Sequence, residues 1–158
     1  MLFELANQTY GLPVAPLVQI IEMVTIRPLP QTPSFVKGVI NFKGQIIAVL
    51  DLRLRLGLPE KPYGLHTPII LLHFDDQLLG LVVDTVHKVH FITQAHLSSG
   101  EAIMPLKLAH TEELSIREIQ VERVIQADHD LILILDIETL LTESEQMSLL
   151  QAMIAERI

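Results

Sequence analysis

One pattern that occurs twice constrains the fold of this chain more than any other feature of its sequence. A Gly-Leu-x-Val unit begins at Gly11 and again at Gly80. In both copies, further apolar residues lie three and six positions after the valine. A second unit covers 39–56 and again 124–141. In this unit two apolar runs lie on either side of a turn, and an Asp and an apolar residue follow. Units in the order A-B-A′-B′ predict two lobes, which must pack together because ~60 to 75 residues are marginal alone.

The repeat and the turn residues of the chain also predict its domain organisation. Residues 1–142 form a single domain of two lobes, with pseudo-repeats at about 1–60 and 66–142 joined by a proline-containing connector. Residues 143–158 form a C-terminal helix packed on this domain, because acidic residues precede an apolar stripe with helical spacing. The stripe consists of Met147, Leu150, Ile154 and Ile158.

Short apolar runs separated by turn residues indicate a mainly β chain. Lys43-Gly44 lies between two such runs and predicts a β-hairpin, because glycine supplies the positive φ of a tight turn. Asp51 and Asp136 occupy matching positions directly after predicted strands. A carboxylate dyad is one interpretation of this match, but helix N-capping explains both residues with fewer assumptions.

Composition excludes several classes of function. The chain has no cysteine, which excludes disulfides and thiolate chemistry. A net charge of −8, no basic cluster and 4% aromatic residues oppose nucleic-acid binding. The apolar runs are far shorter than the ~20 residues that span a bilayer, and no signal peptide is visible, so we expect a cytoplasmic protein without membrane insertion. The 49% hydrophobic content predicts a strand-rich core, or in addition an exposed apolar surface for partner proteins.

The polar residues do not form a recognisable catalytic or metal-binding pattern. Asp84, His87 and His90 are the closest group of candidate metal ligands, but the two histidines of a strand at this spacing point to opposite faces. The nucleophile elbow and both phosphate-binding glycine motifs are missing from the sequence. We therefore expect no catalytic residue, no metal and no cofactor, and the chain is not predicted to be an enzyme.

Three segments together resemble the signature of the CheW family of chemotaxis coupling proteins. Residues 32–53 contain Gly-Val-Ile-Asn-Phe-Lys-Gly and then Ala-Val-Leu-Asp-Leu-Arg. Residues 80–86 read Gly-Leu-Val-Val-Asp-Thr-Val, and residues 133–137 read Leu-Ile-Leu-Asp-Ile. The resemblance spans essentially the whole chain. It implies a fold of two small five-stranded, SH3-like β-barrels that share a hydrophobic core.

The resemblance also implies a function and a set of site residues. Members of this family are adaptors that join the cytoplasmic tips of chemoreceptors to the regulatory domain of a histidine kinase, in chemotaxis or related motility signalling such as phototaxis. The residues implied to face the kinase are Val14 and Leu17. Those implied to line a receptor-binding groove between the barrels are Gln19, Lys43, Val86 and Val89. The residues interpreted as turn or bulge glycines are Gly38, Gly44 and Gly80.

Two positions depart from the family pattern and leave alternatives open. Gln19 stands where the family has Glu, and Lys43 stands where it has Arg, which removes a carboxylate and a planar bidentate donor. These changes motivate a second hypothesis, a partner of a response regulator or of an atypical receptor. A third is a double barrel that binds a small molecule or contains an unrecognised active site. A deep polar cavity between the lobes would favour the third hypothesis, and a shallow apolar groove would favour the adaptor.

Overall fold

The structure is a computed structural model that describes residues 1–87, 121–127 and 130–156. Within these ranges the chain forms ten strands, two α-helices and one 3-10 helix. The strands are β1 (Leu2–Leu5), β2 (Gln8–Gly11), β3 (Leu17–Glu22), β4 (Val36–Phe42), β5 (Gln45–Asp51), β6 (Pro68–Phe74), β7 (Gln77–Val82), β8 (Thr85–Val86), β9 (Val121–Ala127) and β10 (Asp130–Leu135). The helices are α1 (Leu52–Arg55), the 3-10 helix (Ile137–Thr139) and α2 (Glu143–Glu156). None of these described helices is long and apolar enough to cross a bilayer.

The strands form two five-stranded sheets. Sheet 1 has the order β8-β1-β2-β10-β9, and sheet 2 has the order β3-β6-β7-β5-β4. Sheet 2 comes from one continuous stretch of chain, whereas sheet 1 combines strands from both ends of the sequence. Each sheet contains one parallel pair, β2 with β10 and β5 with β7, within an otherwise antiparallel arrangement.

The duplicated pattern is visible in the sheets, but the two copies exchange strands. Gly11 of β2 pairs with Ile134 of β10, and Gly80 of β7 pairs with Val49 of β5, so the first unit of each copy pairs with the second unit of the other. Strands of each sequence repeat therefore belong to both sheets, and the boundary between the sheets does not coincide with the connector between the repeats.

Gly80 has a different structural role from the turn or bulge that its sequence context suggested. It lies inside β7 in regular register with both neighbouring strands. A Cβ atom at this position would lie 3.1 Å from Ile69 Cγ2, and one at Gly11 would lie 2.5 Å from Ile134 Cδ1. Side chains of the adjacent strand pack closely over the backbone at both places, so a larger residue at either position would require these side chains to shift.

A shared hydrophobic core joins the sheets. Side chains of β1 and β2, among them Phe3 and Tyr10, pack in one cluster with Leu50, Ile70 and Leu81 of sheet 2. Alternate residues of β6 point to the opposite face of sheet 2, where a second, smaller cluster lies. Both faces of this sheet are thus buried, which accounts for its continuous apolar runs. The predicted mainly β fold, with two five-stranded sheets, a common core and a C-terminal helix, is confirmed.

Sheet 2 curls so that the chain after β3 meets the far edge of the sheet. The amide and carbonyl groups of Arg27 and Val39 exchange two hydrogen bonds of 2.8 Å, which brings this segment beside β4. Gly38 makes the approach possible, since its φ is +142° and a Cβ atom there would collide with the Arg27 carbonyl group. The sheet is thereby closed into a small barrel.

Side chains cap the helices as the sequence predicts. Asp51 Oδ1 accepts a hydrogen bond from the Leu54 amide at 3.3 Å, and Asp136 Oδ1 accepts one from the Glu138 amide at 3.0 Å. At the start of α2, Thr142 Oγ1 accepts a bond from the amide of Glu145, whose carboxylate accepts one in return from the Thr142 amide. This reciprocal pair is a capping box. Asp51 and Asp136 each cap a separate helix, which does not support the alternative interpretation that they form a carboxylate dyad.

Candidate functional site: docking surfaces and the junction of the two sheets

The β4–β5 hairpin presents Lys43 at its tip. Lys43 and Gly44 have φ values of +52° and +83°, the left-handed conformations of a type I′ turn. The Lys43 side chain is exposed, and its Nζ lies 5.2 Å from the centre of the Phe42 ring. No carboxylate of the described residues forms an ion pair with it. The Lys43 ammonium group is therefore exposed to solvent at the tip of the β4–β5 hairpin.

Strand β3 carries an exposed apolar surface around Gln19. The register of β3 against β6 shifts between Leu17 and Gln19, and this bulge leaves three consecutive residues exposed. Gln19 thus lies between two exposed apolar side chains on an edge strand. The members of this β3 surface are Val14, Val18, Ile20 and Val24, each 40–44% exposed. The bridge that closes sheet 2 lies at Arg27, beyond the end of β3, so among the described residues β3 itself pairs only with β6. An apolar stripe on such an edge strand is typical of a protein-binding site.

The two residues implied to face a kinase lie in the turn that leads into β3. The Leu17 amide donates a 3.0 Å hydrogen bond to the Val14 carbonyl oxygen, which fixes their separation. Val14 is exposed, whereas Leu17 is half-buried and packs against the shared core. Of the two residues, only Val14 is therefore mainly exposed to solvent, whereas Leu17 supports the position of the strand.

The remaining predicted groove residues lie on other elements. Val86 is on β8, where it pairs with Phe3 and is half-buried against the shared core. Val89 lies outside the described residues. One segment, β3 and the turn before it, contains Val14, Leu17 and Gln19. Lys43 lies at the tip of the β4–β5 hairpin, and Val86 belongs to sheet 1. In the described part of the chain, no side-chain hydrogen bond or ion pair joins Gln19, Lys43 and Val86.

An ion pair at the crossing between the sheets connects two of the motifs quoted above. Arg53, in the first turn of α1, donates to Asp84 Oδ2 at 2.5 Å, and both side chains are only 13–14% exposed. The same carboxylate oxygen accepts the Ala6 amide of the β1–β2 turn at 3.0 Å. Asp84, between β7 and β8, thus connects α1, which follows β5 of sheet 2, to the β1–β2 turn of sheet 1.

A second arginine of α1, Arg55, also connects the two sheets. Arg55 is 1% exposed; its guanidinium donates to the Leu140 carbonyl oxygen at 2.7 Å and to the Thr139 carbonyl oxygen at 3.3 Å. The same group lies 5.1 Å from the centre of the Phe35 ring. Carbonyl groups at the end of the 3-10 helix therefore accept hydrogen bonds from a side chain of α1, and the planar fork of Arg suits this double contact.

Asp51 takes part in the junction beyond its capping role. Its Oδ2 accepts a 2.5 Å hydrogen bond from the Tyr63 hydroxyl group. Burial first, and then the hydrogen bond and negative charge of Asp51, raise the pKa of Tyr63 well above the usual value for tyrosine. Tyr63 consequently remains a neutral donor that anchors the connector to β5.

Sequence reasoning did not identify the two arginines as structural residues. Arg53 is part of the Asp-Leu-Arg motif, but the motif does not indicate that its partner is Asp84. For Arg55 a signal was available: in a helix it falls on the same face as Leu52 and Leu56, both fully buried. A charged residue on the apolar face of a helix indicates a buried contact.

Several concavities lie among the described residues. One is an apolar cavity beside α2, one is a small depression of about 30 Å³ beside the Arg53–Asp84 pair, and one is a wide trough between β6 and the 3-10 helix. The trough has His73, Asp75 and Glu138 in its walls, all exposed to solvent, so it is a surface feature and not an enclosed ligand site. No group of three potential metal ligands occurs in the described ranges. None of these concavities is the deep, enclosed polar cavity that the small-molecule hypothesis requires.

The fold and its surfaces define a class of protein: two interlaced five-stranded β-sheets with a rigid junction and an exposed apolar edge strand. Comparison with known proteins identifies the family. A sequence profile described as the CheW-like domain matches residues 1–145, and the chain belongs to the CheW-like family.

Individual relatives agree with this assignment. Chemotaxis protein CheW of Klebsiella aerogenes is 31% identical over 149 residues, which cover 94% of this chain and 84% of that protein. Protein FrzA of Myxococcus xanthus is 31% identical over 84 residues, 53% of this chain and 52% of the relative. The crystal structure of scaffolding protein TtCheW from Thermoanaerobacter tengcongensis has a TM-score of 0.70 and 26% identity, with 91% of this chain and 92% of that chain covered.

Proposed function

We propose that this chain is a non-enzymatic adaptor that couples chemoreceptor-type sensors to a histidine kinase in chemotaxis or related motility signalling. The observation that carries the proposal is the exposed apolar β3 surface on a scaffold of the CheW-like family. Relatives of this chain are named chemotaxis and scaffolding proteins, and an adaptor needs docking surfaces rather than reactive groups. Membership of the family and an exposed docking strand support the same role.

The proposed receptor site comprises Gln19, Lys43, Val86 and Val89. The proposed occupant is a helical receptor tip, which would lay its apolar stripe against valine side chains while polar groups at the rim set its register. Gln19 offers an amide and Lys43 a mobile ammonium group. Contacts of this kind are less directional than those of a carboxylate and a guanidinium group. We expect the receptor contact of this chain to be weaker than that of a chain with Glu and Arg.

The proposed kinase site comprises Val14 and Leu17. The kinase regulatory domain is expected to have the same β fold, and two edge strands of such domains can meet through apolar side chains. Because Val14 is exposed and Leu17 is half-buried, Val14 supplies the contact area and Leu17 maintains the shape of the turn.

Co-elution of purified components tests the proposal. The chain is mixed at tens of micromolar with the kinase regulatory domain and, separately, with a receptor tip fragment from the same source. Val14→Asp should abolish kinase binding and spare receptor binding, whereas Lys43→Glu should weaken receptor binding and spare kinase binding. Leu65→Asp is the matched control, since Leu65 is 84% exposed and is part of neither site. Failure of the unmodified chain to bind either partner would refute the coupling role.

The response-regulator hypothesis is distinguished in the same experiment. Its motivation is the pair of changes at Gln19 and Lys43, so the purified receiver domain of a response regulator is added as a third partner. Binding of that domain in preference to the receptor tip, with sensitivity to Lys43→Glu, would replace the receptor proposal.

A further inference from the structure

An apolar cavity lies between α2 and the β6–β7 hairpin, and no residue implied to face the receptor or the kinase lines it. Its volume is about 190 Å³, and apolar side chains of Phe74, Leu79, Leu141 and Leu149 form much of its wall. A cavity of about 150 Å³ with aliphatic walls accommodates benzene. The cavity beside α2 is therefore large enough for one aliphatic or aromatic side chain.

The outer face of α2 extends this cavity into a stripe. Met147, Leu150 and Ile154 are 41–60% exposed and follow each other at helical spacing, so they line one side of the helix. Leu150 belongs to both features, because it also lines the cavity. The helix is held to the domain by its other side, where Leu149 is buried and Met153 packs against the shared core. The stripe is thus left open on a helix that is already fixed in place.

Carboxylates border this apolar surface at the β6–β7 turn and in the adjacent trough. Asp75 and Asp76 of the β6–β7 turn lie at the cavity, and Asp75 also lines the adjacent trough of about 770 Å³ together with Asp136 and Glu138. Neither Asp75, Asp76 nor Glu138 forms an ion pair within the described part of the chain. A surface with an apolar centre and a negative rim is complementary to a partner with apolar anchors and positive flanking residues.

We propose that this α2 surface binds an amphipathic helical segment of another protein that carries Lys or Arg beside its apolar stripe. One large apolar side chain of that segment fills the cavity, and its basic residues meet the carboxylates of the rim and trough. A second copy of this chain would bring like charges together, and an anionic lipid surface would be repelled for the same reason. The proposal goes beyond the coupling role, since the α2 surface contains none of the residues assigned to the receptor or the kinase.

The probe is a 16-residue fluorescent peptide with Leu on one helical face and Lys on the other, and its matched control has Glu in place of every Lys. Fluorescence anisotropy should give binding of the Lys peptide at micromolar concentrations and none of the Glu peptide. Met147→Ser/Ile154→Ser removes apolar area from exposed positions and should weaken binding about fivefold or more. Asp75→Asn/Asp76→Asn/Glu138→Gln should weaken it similarly and reduce its dependence on salt.

A charge-matched variant separates a specific site from general attraction to an acidic protein. Glu4→Gln/Glu22→Gln/Glu60→Gln removes three carboxylates elsewhere on the surface and should leave the affinity within about twofold. Equal weakening by both triple variants, or no binding of the Lys peptide to the unmodified chain, would overturn the proposal.

A dimer in sedimentation that Met147→Ser/Ile154→Ser abolishes would also overturn it in favour of self-association. The same double variant should still co-elute with the kinase domain and receptor tip, and loss of either would assign the α2 surface to coupling instead.

Discussion

The ion pair between Arg53 and Asp84 makes the sharpest prediction about how the two sheets are held together. Arg53→Met removes the guanidinium group and leaves Asp84 with the Ala6 amide and with Lys61 Nζ at 4.0 Å. Asp84→Asn keeps the shape but removes the charge that Arg53 neutralises. Because the pair is largely shielded from water, each single change leaves a partly buried charge without its partner.

The expected cost follows from burial. Removal of one member of a buried pair costs about 3 to 5 kcal/mol. Both side chains retain some exposure and Arg53 keeps a 2.9 Å hydrogen bond to the Pro59 carbonyl oxygen, so we expect about 2 to 3 kcal/mol for each single change. The double variant should cost less than the sum of the two, with a coupling energy of about 1 to 2 kcal/mol.

Urea unfolding of the four proteins measures these values. With an m-value of about 2 kcal/mol/M, each single change should lower the midpoint by about 1 to 1.5 M. Lys37→Met is the matched control, because Lys37 and Glu60 also form a close ion pair, at 2.8 Å, but Glu60 is 65% exposed. That variant should keep the midpoint of the unmodified chain. Additive single changes, or an equal shift in the control, would refute the view that Asp84 connects the sheets.

Three further predictions follow from single features. Gly38→Ala should lower the free energy of unfolding by about 3 kcal/mol or more in thermal or urea melts, because the backbone there has a φ of +142° and no room for a Cβ atom; an unchanged stability would disprove the close approach. Tyr63→Phe should cost about 1 to 2 kcal/mol at neutral pH through loss of the bond to Asp51. The raised pKa of Tyr63 means that this stability is complete below the usual tyrosine pKa of about 10 and falls at higher pH, so the difference between the two proteins should shrink there; a constant difference would contradict the assignment. Gln19→Glu/Lys43→Arg should tighten binding to the receptor tip about tenfold in a titration, with kinase binding unchanged, and an unchanged receptor affinity would remove these residues from the site.

Local features of the fold could be predicted from the sequence because each depends on a few neighbouring residues. The turn at Lys43-Gly44 requires only two positive φ values between apolar runs. The caps at Asp51 and Asp136 and the start of α2 depend on a side chain and an amide two or three residues away. The family resemblance supplied the number of strands and the shared core, which local patterns alone do not specify.

Features that depend on distant pairing could not be predicted. The pattern of two repeats suggested two consecutive lobes, yet β2 pairs with β10 and β5 with β7, so the repeats are interlaced. Gly80 resembled a turn residue because the side chain that packs closely over it, Ile69, belongs to another strand. On β3 the sequence contained the apolar residues, but the bulge at Leu17–Gln19 determines which of them face solvent. Whether the predicted site residues act together is tested by the binding experiments.

The origin of sheet 1 at both ends of the chain has a consequence for synthesis of the protein. The contact between Gln8 and Leu131 joins residues that are 123 positions apart, whereas sheet 2 is complete once residue 82 has left the ribosome. At about 5 to 20 residues per second, β1 and β2 wait roughly 6 to 25 s for the strand that completes their sheet. During this interval the N-terminal hairpin has an unpaired edge and its large apolar side chains lack part of their core. A nascent chain of this kind depends on the early folding of sheet 2, which offers those side chains a surface to pack against until β10 arrives.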